Sequence, residues 1–178
     1  MASATFLPKG QLFLPKNFDM AEIIHQIPGY EKGRVQRIKA IDEVSESFIV
    51  AQMADDLRKK WNTSVLCISM DGHKEAIESL IPQEKAVCNV YVLNQKNTEL
   101  EVVLRKAKGI INRRFVRALI ISGAERITTA AYKDKTEEGR EWIDLRLNGL
   151  SRGIGIPIIL VAVHEDSVDV QSKQHNKQ

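Results

Sequence analysis

Long apolar runs are missing from this 178-residue chain. None approaches the roughly 20 residues that a membrane helix needs, and no signal-peptide pattern opens it. Cysteine is scarce. Cys67 lies inside one apolar run and Cys88 just before another, so the pair reads as buried thiols in a reducing compartment rather than a disulfide framework. No Cys/His spacing matches a metal site. His25, His73, His164 and His175 are scattered, and no nucleophile is paired with a base. An excess of one charge is lacking too: 26 basic against 23 acidic residues leave a net +3, which by itself argues for no partner. What remains, 43% hydrophobic and 28% charged residues, is the composition of one soluble globular domain with a sound core. The expected compartment is the cytoplasm, or the nucleus in a eukaryote.

Read in order, the chain opens with a small echo, Phe6-Leu7-Pro8-Lys9-Gly10 and Phe13-Leu14-Pro15-Lys16-Asn17. Proline in each copy opposes helix, so residues 1–17 are expected to form an extended arm. Its Phe6, Leu7, Phe13 and Leu14 either cover their own domain or dock on a neighbour. Met20, Ile23, Ile24 and Ile27 follow at helical spacing, as core or as a self-association surface. A domain over residues 18–165 and a polar tail over 166–178 complete the division.

The next stretch is Pro28-Gly29-Tyr30-Glu31-Lys32-Gly33-Arg34-Val35, then a strand over Gly33–Lys39, then Ala40-Ile41-Asp42-Glu43-Val44-Ser45-Glu46-Ser47. The last block has the length of a phosphate-binding loop, G-x-x-x-x-G-K-[ST]. Ala40 and Ser45 stand at the two glycines, Glu46 at the lysine, and Ser47 is kept. A helix over Ser47–Trp61, capped by Ser45 or Ser47, buries Ile49, Val50, Met53, Ala54 and Leu57 and leaves Asp55, Asp56, Arg58, Lys59 and Lys60 wet. An apolar strand, Val65–Met70, then ends at Asp71. Together these segments resemble the core of the RecA superfamily, the P-loop ATPases that include the bacterial recombinase and the DnaB-type helicases. That resemblance implies an α/β fold with a mostly parallel sheet flanked by helices, a RecA-like P-loop NTPase fold lacking a functional P-loop. Gly33–Lys39 becomes its first, central strand, although Arg34, Gln36, Arg37 and Lys39 are unusual in a strand buried on both faces. Such a loop works through glycine N–H groups and a lysine ammonium. A carboxylate at position 46 is expected to repel a triphosphate.

The resemblance assigns two further places. Asp71 stands where relatives activate the attacking water, although a helix-capping role suits it as well. Val116–Ile121 ends in Ser122, where relatives hold magnesium with an aspartate, and Glu125 beyond it suits a surface ion pair. Between them lie a short helix over His73–Ile81, a strand over Ala86–Leu93 and a helix over Thr98–Asn112 with an apolar face of Leu100, Val103, Leu104, Ala107 and Ile111. A mobile loop at Ile127–Gly139, a helix at Glu141–Leu150 and a last buried strand at Ile156–Val163 follow. That strand ends in apolar Ala162-Val163, where relatives keep a polar sensor residue.

Three ATP-handling places have thus changed together, so the expectation is a non-enzyme without cofactor or metal. Surface is what such a scaffold still offers. Arg105, Lys106, Lys108, Arg113, Arg114 and Arg117 cluster around a helix C-terminus, as dipole partners or as phosphate-backbone contacts. The resemblance implies an accessory protein that assembles with a RecA-type partner, or with itself, in DNA recombination, replication or transposition. The alternatives are a protein-only regulatory or structural subunit and a weak, unconventional ATPase.

Overall fold

A computed structural model describes residues 33–82, 88–132 and 136–163, and the backbone alone of 5–7 and 11–13. Its strands are β1 (Thr5–Leu7), β2 (Gln11–Phe13), β3 (Val35–Ala40), β4 (Ser64–Ser69), β5 (Val90–Asn94), β6 (Val116–Ser122) and β7 (Ile158–Val163). Its helices are α1 (Glu43–Trp61), α2 (Lys74–Leu80), α3 (Leu100–Arg114) and α4 (Glu137–Ile154). Met20, Ile23, Ile24, Ile27, Leu14 and the tail lie outside the described residues.

β3 to β7 form an all-parallel sheet in the order β5-β4-β6-β7-β3, and β2 and then β1 extend it beyond β3. β2 runs parallel to β3, pairing Leu12 with Ile38, and β1 folds back antiparallel onto β2. β3 is therefore not the central strand, which explains its composition. Val35, Gln36, Arg37 and Lys39 are only half-buried, and the Arg37 guanidinium pairs with Asp144 of α4.

The order of the strands decides where the helices go. From β3 to β4 to β5 the chain steps toward one edge, through α1 and α2; from β5 to β6 to β7 it steps back, through α3 and α4. Right-handed crossovers then require the two pairs of helices on opposite faces. Alternation along each strand matches this. Val65, Cys67, Ala118, Ile120, Ile159 and Val161 pack under α1 and α2, whereas Leu66, Ile68, Leu119, Ile121, Ile158 and Leu160 pack under α3 and α4. Burial pushes the Cys67 thiol up to about 12. Cys88, expected to be buried, is only half-buried.

Helix boundaries moved where capping chemistry outweighed spacing. α1 begins at Glu43, four residues earlier than expected, because Asp42 accepts the Ser45 N–H at 2.7 Å and Glu43 and Glu46 suit the first turn. Its expected stripe is buried, but so are Asp55 and Arg58, which pair with each other. α3 starts at Leu100 because Asn97 Oδ1 takes the Glu99 N–H and Thr128 O takes the Leu100 N–H. The same contact pins the start of the loop expected to be mobile: Ile127 and Thr129 are buried. α4 starts at Glu137, where Thr136 accepts the Gly139 N–H.

Candidate functional site

In open α/β sheets the carboxyl ends of neighbouring strands whose helices leave on opposite faces frame a crevice. Here that place lies between β4 and β6. Three segments meet in it: the first turn of α1, the Met70-Asp71-Gly72-His73 turn after β4, and the Gly123-Ala124-Glu125 turn after β6. Gly123 has φ +66°, and a Cβ there would stand 3.2 Å from both the Asp71 N and the Met70 Cβ. A glycine is what lets the two strand ends approach this closely.

Glu46 crosses the crevice floor. It is 1% exposed, and its Oε1 accepts the Gly123 N–H at 2.6 Å. Burial first, and then the neighbouring Asp71 and Glu125 charges, push its carboxyl up to about 9 against the pull of the Gly123 bond. Glu46 is thus a neutral acid at pH 7, turned inward, and does not hold a negative charge toward an incoming phosphate. That corrects the expectation of direct repulsion. The proton it keeps is shared with Asp71, whose carboxylate accepts from the Glu46 carboxyl.

Asp71 is the ionised member. Burial alone would raise it, but the Ser69 hydroxyl at 2.5 Å, the Glu46 carboxyl and His73 together hold it below the usual carboxylate range. It caps no helix, correcting the sequence reading: α2 starts at Lys74, whose N–H goes to Asn94 Oδ1. His73 bridges outward, with Nδ1 3.1 Å from Asp71 Oδ2 and Nε2 3.6 Å from Glu43 Oε2. Glu125, expected on the surface, sits in a 3₁₀ turn and is raised by burial and by Asp71 against the pull of Arg126 and of backbone N–H groups, including that of Val163. Ser122 is 1% exposed, with a hydroxyl that bonds nothing among the described residues.

The broken loop has a definite shape. Ala40 is the last residue of β3, and Ser45, Glu46 and Ser47 already lie in α1, so only Ile41 and Asp42 separate strand from helix. Two residues leave no arc of N–H groups to wrap a phosphate. The helix N-terminus, where an anion would sit, is held by the Asp42 carboxylate, which takes both the N–H and the hydroxyl of Ser45. Replacing Asp42 with Ala should cost about 1 kcal/mol in urea unfolding, the usual loss for an N-cap.

Glu46, Asp71 and Ser122 therefore do meet, as does the end of β7. Glu43, His73 and Gly123 went unread in the sequence. The one local signal was an acid and a histidine flanking a glycine at a strand end.

The basic residues lie on α3 and just beyond it. Arg105, Lys106, Lys108, Arg113, Arg114 and Arg117 are all exposed, and among the described residues none is in an ion pair. Lys106 donates to Gln95, Arg113 to the Gly109 carbonyl, and the Arg114 guanidinium stands 5.7 Å from the Tyr91 ring centre. Phe115 interrupts the run with φ 54°, a left-handed conformation that is costly for an aromatic residue, and is 76% exposed. It borders a cavity of about 670 Å³ at the amino ends of the strands, shared with Trp61, Thr63, Ser64, Cys88 and Arg117. No described helix is long and apolar enough to cross a membrane. Compared with known proteins, the chain matches no family model and no curated sequence.

Proposed function

We propose that this chain is a catalytically silent relative of the RecA-type ATPases that contacts nucleic acid through the exposed basic run of α3 and its C-terminal turn. The relationship is supported by the meeting, in one crevice, of the places the resemblance assigns to ATP chemistry: Glu46 for the lysine, Asp71 for the acid, Ser122 for the magnesium-holding aspartate and Val163 beside the sensor. Asp71 keeps its acid, but the other three lack the group that the chemistry requires, and the two-residue link before α1 removes the phosphate arc. The scaffold then serves as a platform.

The single observation that carries the nucleic-acid reading is the surface of Arg105, Lys106, Lys108, Arg113, Arg114 and Arg117, exposed and, among the described residues, free of carboxylate partners. Neutralised phosphates release counterions, so such a surface binds without sequence preference and with steep salt dependence. Phe115, held out among these cations, offers a face on which an unpaired base can stack. Its setting favours single strands. An accessory role beside a RecA-type partner in recombination, replication or transposition fits this surface. A protein-only subunit finds its support elsewhere, in Val44 and Phe48, 80% and 38% exposed at the start of α1 beside the crevice.

Mobility shift with single- and double-stranded DNA at two salt concentrations tests the reading. Single strands should be retarded at low salt and released at high salt. No retardation at low salt overturns it and leaves the protein-only subunit.

A further inference from the structure

The cavity at the amino ends of the strands is framed by two departures from regular backbone. Phe115 closes α3 at φ 54°, a left-handed turn that helices usually give to glycine. It is 76% exposed, so little packing offsets the strain. Arg117 is the second departure. Ser64 pairs with Val116 but Val65 pairs with Ala118, so Arg117 is passed over in the register between β4 and β6. Val116 and Ala118 on either side are buried, whereas Arg117 is exposed. A bulge of this kind re-aims one side chain, and here it brings a guanidinium to the cavity wall. Strained backbone that holds side chains at a cavity is a mark of binding.

The walls indicate what fits. Trp61 and Phe115 supply aromatic surface, Arg117 supplies charge, and Asn62, Thr63 and Ser64 supply amide and hydroxyl groups. The Ser64 hydroxyl accepts the Asn89 N–H at 3.3 Å and keeps its own proton to donate. A volume of about 670 Å³ lies within the range of small-molecule pockets. Among the described residues no acid lines it, so no carboxylate there opposes a phosphate. A flat ring with polar edges, joined to a phosphate, matches this set: ring on the aromatic faces, edge to the polar groups, phosphate to the guanidinium.

We infer that this cavity takes one unpaired base of a single strand whose neighbouring phosphates lie along α3. The inference rests on the nucleic-acid reading above and deepens it. Continuity supports it: Arg113 and Arg114 directly precede Phe115, and Arg117 belongs both to the basic run and to the cavity wall. A paired base cannot turn into the cavity without leaving its duplex, so the cavity separates single from double strands, which cations alone do not do. A free mononucleotide gains nothing from the rest of the run, so it binds too weakly to saturate.

The test uses the full chain with labelled oligothymidylate, its duplex with oligodeoxyadenylate, and free thymidine monophosphate. Phe115→Gly removes the ring and relieves the left-handed turn, so circular dichroism and melting temperature should stay close to wild type. It should weaken oligothymidylate binding about tenfold, the usual worth of one stacked base, with duplex affinity and the salt slope unchanged. Cys88 reads the cavity in the unaltered chain. Cys67 is buried, so a thiol reagent on the folded protein reports Cys88. Saturating oligothymidylate should slow that reaction severalfold, whereas duplex and monophosphate should not. Unchanged affinity in Phe115→Gly, or a Cys88 rate untouched by bound single strand, overturns the inference, while retardation of the strand leaves the nucleic-acid reading standing. No binding at all removes both. Protection of Cys88 by the monophosphate alone also overturns it, in favour of a small-molecule ligand.

Discussion

Glu46→Gln is expected to stabilise the protein near neutral pH by on the order of 3 kcal/mol. Glu46 holds its proton in the folded state up to about pH 9, whereas an unfolded glutamate releases it near 4.5. The folded state therefore binds the extra proton between those values, so the stabilising contribution is full below about 4.5 and is lost steadily as pH rises to about 9. At pH 7 the interval covered is roughly two and a half units at about 1.4 kcal/mol each. Glutamine has the shape of the neutral acid, keeps the carbonyl that accepts the Gly123 N–H, and directs an N–H toward Asp71. Urea unfolding from pH 5 to 9 should show the wild type weakening with pH and the variant nearly flat. Below about pH 4 both should weaken alike, because the depressed Asp71 must then be protonated in each. A variant no more stable than the wild type at pH 8 would mean that Glu46 is ionised in the crevice.

Reversing two charges on the basic run is expected to weaken single-strand binding about a hundredfold at low salt, with the slope of log affinity against log salt falling by about two. Arg113→Glu with Arg114→Glu is the informative pair. Arg114 flanks Phe115 and leans over Tyr91, and Arg113 reaches back only to the Gly109 carbonyl, so neither holds core structure. Both sit in the last turn of α3, where cations suit the helix dipole; the pair should therefore also lose about 1 kcal/mol of stability, too little to unfold the chain. Fluorescence anisotropy with a labelled oligonucleotide reads affinity and slope together. Binding that survives the double reversal with an unchanged slope places the contact elsewhere.

The sequence carried more of the fold than of the site. The apolar spacing of Leu100, Val103, Leu104, Ala107 and Ile111 became the buried face of α3, and the run ending at Ile121 became the central β6, because both patterns are local. The place of β3 in the sheet is not a local property. Its charged residues were puzzling only while it was assumed to lie at the centre. The start of α1 was legible in Asp42 and Ser45, but aligning the block to a loop motif drew the reading to Ser45 and Ser47. Spacing alone assigns Asp55 and Arg58 to the solvent face; they are buried as a pair, a tertiary fact that no local pattern carries. The direction of Glu46 was beyond local reading altogether, since its hydrogen-bond partner Gly123 lies 77 residues away. Sequence thus located residues of the crevice without revealing that its acid is neutral or its helix already capped.

If Asp42 at the helix N-terminus and the two-residue link before α1 close the strand-end crevice to phosphate, the chain binds no nucleotide. Calorimetric titration of the full chain with Mg·ATP tests this most directly. No saturable heat should appear. A one-to-one isotherm with ATP, abolished when Ser47 or Asp71 is replaced, would contradict it.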